Sequence, residues 1–165
     1  MKKICFYLFI FSALCLFFLF SCSKADSLYD ILIYATSSVE NLPAGSILCY
    51  GKIHENSVSD GTLFEYLGIN GYPEFKDKIE ELVFYSSIGK KHVELALIKL
   101  YSADDVSDAR LCFERRISDA RRAFAFMDMP DTAKDAYIRT YSNTVVLYMT
   151  EDNHTLEKLI EKAIR

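Results

Sequence analysis

The apolar positions along this chain change their period several times, and each change marks an element. Ile4 to Phe20 is an almost unbroken apolar run, preceded by Lys2 and Lys3 and closed by Ser21-Cys22. After a short polar stretch, Leu28, Ile31, Leu32, Ala35 and Val39 recur at helical spacing. That spacing predicts an amphipathic helix, capped by Asp26 or Ser27 and stopped by Asn41-Leu42-Pro43-Ala44-Gly45. Residues 46–60 are ambiguous: Ile47-Leu48-Cys49-Tyr50 has the makings of a short strand, while Gly51 and the polar run from His54 to Asp60 suggest a surface loop. Thr62 to Leu67 reads as a short helix ended by Gly68, and Asn70-Gly71-Tyr72-Pro73 is turn chemistry.

The middle of the chain carries the stronger strand signals. Ile79 to Ser86 contains the run Leu82-Val83-Phe84-Tyr85, and residues 87–91 read as a hairpin loop. Val93 to Tyr101 is apolar on both faces, which places it at the centre of a sheet covered on both sides over part of its length. Ser102-x-x-Asp105 then opens a long helix reaching about Met127, and Pro130 forbids much further extension. Residues 131–135 are expected to make one helical turn. Tyr137 to Tyr141 and Thr144 to Thr150 are two strands about a Ser142-Asn143 turn. Leu156, Leu159, Ile160, Ala163 and Ile164 line one face of a terminal helix. The expected fold is therefore α+β: a four-stranded, mostly antiparallel sheet in the order β-β-α-β-β-α, with the long helix packed on it and a helical segment at the N-terminal side.

The first apolar run has the marks of a secretory signal, with a basic start, an apolar middle and a small residue before the cut. Its ending, Leu19-Phe20-Ser21-Cys22, resembles the lipobox of bacterial lipoproteins, although Phe20 is bulkier than usual there. The resemblance implies a diacylglycerol on the Cys22 sulfur and cleavage before that residue. An uncleaved membrane helix is the alternative, since about 17 apolar residues lie at the short end of a span. The expected organisation is a signal peptide over 1–21, a lipidated tether over 22–27 and a single extracytoplasmic domain over 28–165.

Composition adds bounds to that picture. The 165-residue chain carries a net charge of −4, and its first 21 residues hold two lysines and no acid, so removing them takes the net charge to −6. An acidic balance argues against nucleic-acid binding and against an electrostatic clamp on the membrane. With Tyr and Phe abundant and Trp absent, the core should be rich in aromatics. Cys49 and Cys112 form either a disulfide, which the compartment permits, or two buried thiols acting as small hydrophobes.

Candidate chemistry is sparse. No Gly-x-Ser-x-Gly elbow occurs, and Cys112 lies inside a helix with no histidine near it in sequence. His54, His92 and His154 are far apart, and none has a ligand-type partner four residues on. Glu80 and Glu81 should point to opposite faces of a strand. On the long helix, Val106, Ala109, Phe113, Ile117, Ala120, Phe124 and Met127 define an apolar arc. Arg110 and Arg121 fall on its border, Arg115 and Arg122 fall opposite, and Arg116 falls inside it. A guanidinium there either snorkels along the helix edge, pairs with Glu94 at the start of the central strand as a structural clamp, or binds a ligand.

From Thr62 to Leu147 the sequence resembles a family of uncharacterised small lipoproteins of clostridial-type bacteria. The cues are Thr62-Leu63-Phe64-Glu65-Tyr66-Leu67-Gly68, Glu94-Leu95-Ala96-Leu97, Arg115-Arg116-Ile117 and Asn143-Thr144-Val145-Val146-Leu147. The resemblance implies a fold and an address and carries no activity. The expected function is that of a lipid-anchored binding or assembly module at the cell envelope, without catalytic residues, cofactor or metal. It would be joined to the membrane through Cys22, with an envelope protein as the candidate partner. A small envelope hydrolase or transferase, or an accessory subunit of a membrane transport complex, are the rivals.

Overall fold

The computed structural model of the chain describes residues 27–51, 55–87, 92–125 and 132–165. It is an α+β fold whose single sheet has helices on both faces. The first helix, α1 (Leu28–Ser37), starts where Ser27 Oγ accepts a hydrogen bond from the Asp30 amide at 3.2 Å. A strand β1 (Gly45–Tyr50) and a short helix α2 (Asp60–Leu67) follow. Gly68 closes α2 in the left-handed region, φ +65°, where a residue without Cβ is least strained. A 3₁₀ helix (Pro73–Lys78) leads into β2 (Ile79–Ser87), which pairs with β3 (Glu94–Leu100). Of the hairpin loop expected between them, residues 88–91 lie outside the described residues.

Ser102 does cap a helical turn, but its Oγ accepts from the Asp104 amide, so the chain enters through a 3₁₀ turn (Ala103–Asp105). The long helix α3 (Val106–Phe124) continues from it. Met127 and Pro130, expected at its end, lie outside the described residues. Strands β4 (Tyr137–Tyr141) and β5 (Thr144–Met149) and helix α4 (Asn153–Ile164) complete the fold.

The strand order is β1-β2-β3-β5-β4, with every neighbouring pair antiparallel. The expectation of four strands is thus corrected to five. The extra strand is the ambiguous stretch, and its partners explain the ambiguity: Gly45 to Tyr50 pair with Ser87 to Leu82, nearly forty residues on. β1 lies at one edge and is only partly covered, so its own pattern carries little of the alternation that marks a buried strand.

Side chains alternate between two apolar layers. Leu82, Phe84, Ala96, Ile98, Val145 and Leu147 meet α2 and α3 through Leu63, Tyr66, Phe113 and Ile117. Val83, Leu95, Leu97, Val146 and Tyr148 meet α1 and α4 through Leu28, Leu32, Leu156 and Ile160. Burying a side chain such as Phe113, which is 0 % exposed, contributes about 1.5–3 kcal/mol relative to leaving it in water.

The alternation breaks at one place. A register shift between Ile79 and Glu81 inserts an extra residue in β2, so Ile79 and Leu82, three apart, both reach the α3 layer. The bulge frees Glu80 to meet Lys99 at 2.7 Å and turns Glu81 into the α1 layer. Gly51 sits against it at φ +99°, where a Cβ would fall 2.4 Å from the Glu80 carbonyl oxygen.

The strands give the sheet two ends. One holds Glu81, Lys99, Tyr101 and the Ser142-Asn143 turn; the other holds Ser86, Glu94 and Met149.

Candidate functional site

The Glu94 end gathers most of the polar groups that the fold buries, Glu94, Thr132, Thr150 and Asn153 among them. Glu94 opens β3 on the α3 face and is 0 % exposed. Two donors converge on its Oε1: the Tyr66 hydroxyl of α2 at 2.6 Å and Arg116 Nε of α3 at 2.7 Å. Its Oε2 faces His92 Nε2 at 3.4 Å, without the alignment of a hydrogen bond, and accepts none among the described residues. The Arg116 guanidinium lies 4.4 Å over the Tyr66 ring, and that ring stacks on Phe84 at 3.9 Å. Cation, phenol and phenyl form one stack locked from below by a carboxylate. Arg116 keeps 30 % of its side chain exposed and His92 keeps 28 %, so the cluster presents a guanidinium and an imidazole edge to solvent.

Burial alone would push the Glu94 carboxyl up; His92, Arg116 and Tyr66 outweigh it and hold the group below the usual carboxylate value. Burial and the neighbouring Glu94 charge push the Tyr66 phenol well up. The site is therefore an ionised glutamate, a neutral tyrosine and a paired arginine at neutral pH. A general base works best with a pKa near the operating pH, and Glu94 is held away from it. What the arrangement does chemically is to set one guanidinium in a single orientation, which suits planar recognition of a carboxylate or phosphate.

Beside this cluster runs a cleft of about 820 Å³ between the β4 and α4 starts, lined by Thr132, Asp135, Tyr137, Arg139, Thr150 and His154 among others. Asn153 builds its floor. The Asn153 Oδ1 accepts from the Thr150 amide at 2.8 Å, and its Nδ2 donates to the Asp135 carbonyl at 3.0 Å. On the wall, Glu157 accepts from the Tyr137 hydroxyl at 2.7 Å and Arg139 Nε at 2.6 Å. Thr132 Oγ1 donates to the His92 carbonyl at 2.6 Å, joining the cleft to the Glu94 cluster.

Of the residues singled out in the sequence, Glu94 and Arg116 are brought together, while Cys22 and His54 lie outside the described residues. Cys49 and Cys112 are free, buried thiols in opposite layers of the sheet. Burial pushes the Cys112 thiol up to about 11, which leaves it protonated and unreactive at neutral pH. Among the described residues, no three His, Cys, Asp or Glu side chains gather as a metal site would require.

Two of the other helix arginines also bond to backbone carbonyls. Arg115 donates to the Gly68 carbonyl at 2.6 Å, and Arg121 donates to the Ala133 carbonyl at 2.9 Å. Sequence reasoning missed Tyr66 and His92, whose roles depend on elements that meet only in three dimensions. It also missed Glu81, 1 % exposed, whose carboxylate accepts from the Leu28 amide at 3.1 Å and the Tyr29 amide at 3.4 Å. The one signal for it was a glutamate at the head of the apolar run Leu82 to Tyr85. No family model, curated protein or solved structure matches this chain.

Proposed function

We propose that this chain is a lipid-anchored extracytoplasmic protein, held at the membrane through Cys22, whose folded domain acts as a binding or assembly module. The observation that carries the reading is the apolar run Ile4 to Phe20 closed by Ser21-Cys22, with a capped helix beginning only six residues later at Leu28. Among the described residues no helix is long and apolar enough to cross a membrane; in this reading attachment is through the Cys22 lipid. Two acyl chains on one residue suffice, since each buried methylene contributes about 0.8 kcal/mol.

The binding reading is favoured over a hydrolase or transferase by the state of the polar groups. Glu94 is held below the usual carboxylate value and spends Oε1 on Tyr66 and Arg116, and burial pushes the Cys112 thiol up to about 11, so neither is poised near neutral pH as a general base or thiolate. A preset guanidinium beside a mixed polar cleft is instead the kind of surface that holds a partner's acidic group. Metabolic labelling with a fatty-acid analogue tests the anchor. The wild-type chain takes up label and Cys22→Ala takes up none; equal label on both would reject the reading.

A further inference from the structure

The strand that holds Glu81 also determines where the tether ends. Glu81 receives the first two amides of α1, so Leu28 is pinned at the Lys99 end of the sheet. Five residues lie between Cys22 and Leu28, and the six Cα steps, fully extended, reach about 20 Å. That is no more than the sheet from Glu81 to Ser87, also roughly 20 Å at strand rise. The Lys99 end is therefore within reach of a membrane holding Cys22 without the full contour length of residues 22–28 being needed. For the Glu94 end to reach it, the tether would have to be pulled straight along the domain's flank, with a loss of backbone entropy for every residue so fixed.

The surface at the Lys99 end fits that location. Tyr101 follows β3 directly, and its amide donates to the Lys78 carbonyl beside the start of β2 at 3.0 Å. Its side chain is 70 % exposed, the most exposed of the large apolar side chains described, and Tyr72, 5.4 Å from Lys78 Nζ, is 41 % exposed. A tyrosine has an apolar ring and a polar tip, the combination enriched at membrane–water interfaces. The cations nearby leave no positive surplus, because Lys78 meets both Asp105 and Asp108 and Lys99 meets Glu80, three carboxylates to two lysines. Contact by this surface would thus depend on tyrosine insertion and on the tether, with little contribution from attraction to anionic lipid.

We infer that the domain stands on the membrane by its Lys99 end, with Tyr101 among the lipid headgroups, and turns the Glu94 cluster and the adjoining cleft away from the bilayer. This rests on the Cys22 anchor proposed above. The occupant of the Tyr101 surface is the lipid surface itself, and the outward end is the one offered to a partner.

The chain has no tryptophan, so single substitutions report on depth. The full chain, purified from membranes, is reconstituted in phosphatidylethanolamine–phosphatidylglycerol vesicles with acyl chains brominated near the headgroup. Tyr101→Trp and Tyr72→Trp mark one end; His154→Trp, at an exposed position beside the cleft, marks the other. The expected result is loss of emission from Tyr101→Trp, a smaller loss from Tyr72→Trp, and unchanged emission from His154→Trp. Lipidated protein in which His154→Trp is quenched as strongly as Tyr101→Trp, or in which neither is quenched, overturns the orientation and leaves the anchor standing. An intact mass without diacylglycerol overturns the anchor itself, and the orientation with it.

Discussion

Two glutamates among the described residues are buried on opposite faces of one sheet, and they are stabilised by different means. Glu81 accepts from the backbone amides that open α1, where the helix dipole also favours a negative charge. Glu94 accepts from a tyrosine and an arginine on two other helices and faces a histidine. The first arrangement fixes where a helix begins. The second fixes the orientation of a cation that remains part-exposed. A carboxylate held by backbone amides leaves nothing over for a ligand, whereas one held by an arginine sets that arginine for use.

The difference can be probed by removing partners, and the largest effect should come from Arg116→Met. It leaves Glu94 buried without its counter-charge, and breaking a buried pair costs about 3–5 kcal/mol. With part of the Arg116 side chain open to water, the lower end of that range is expected in urea unfolding of the chain. The double variant with Glu94→Gln should recover much of the loss, because no charge is then stranded. Equal losses in single and double variants would mean the pair contributes only packing.

Tyr66→Phe should come next. It removes one bond to a charged acceptor but keeps the ring on Phe84, and a loss of about 1.5–3 kcal/mol is expected. Glu81→Gln should cost least, about 1 kcal/mol, since its one amide oxygen keeps the 3.1 Å bond from the Leu28 amide and only the longer bond, from the part-buried Tyr29 amide, is lost. If Glu81→Gln proved the most damaging of the three, the contrast between the two faces would be wrong.

Acid offers a second way to sharpen the contrast. The folded-state pKa of Glu94 is depressed. Its contribution is therefore present above the unfolded value of about 4.3 and is lost as pH falls through the folded value. Stability of the wild type should fall in that acid window, and the fall should be shallower in Glu94→Gln. An unchanged acid limb would mean that other carboxylates govern it.

The same contrast explains how much could be read from the residues alone. Arg116 stands out in the sequence because it interrupts an apolar arc, and Glu94 because it heads the central strand on the matching face. Strand rise and helix rise, counted from the turn at Ser102, bring the two within an arginine's reach. Glu81 offers no such clue. Its partners are amides that every residue carries, and the bulge beside it breaks the alternation on which the reading of Glu80 and Glu81 depends. The central strand, the long helix and the β4–β5 hairpin are legible because their periodicity is local and strong. β1 is not, because its strand character comes from pairing with β2 across a long intervening segment. The cleft is hidden for a related reason: Asn153 reads as a helix start, and only the fold shows it bridging Thr150 to Asp135.

The proposed address and orientation both depend on a single covalent event at Cys22, and the intact mass of the protein extracted from membranes tests it most directly. The expected species is a chain of residues 22–165 carrying a diacylglycerol thioether on its first residue. A mass equal to the unmodified 165-residue chain, recovered from the same membranes, would contradict it.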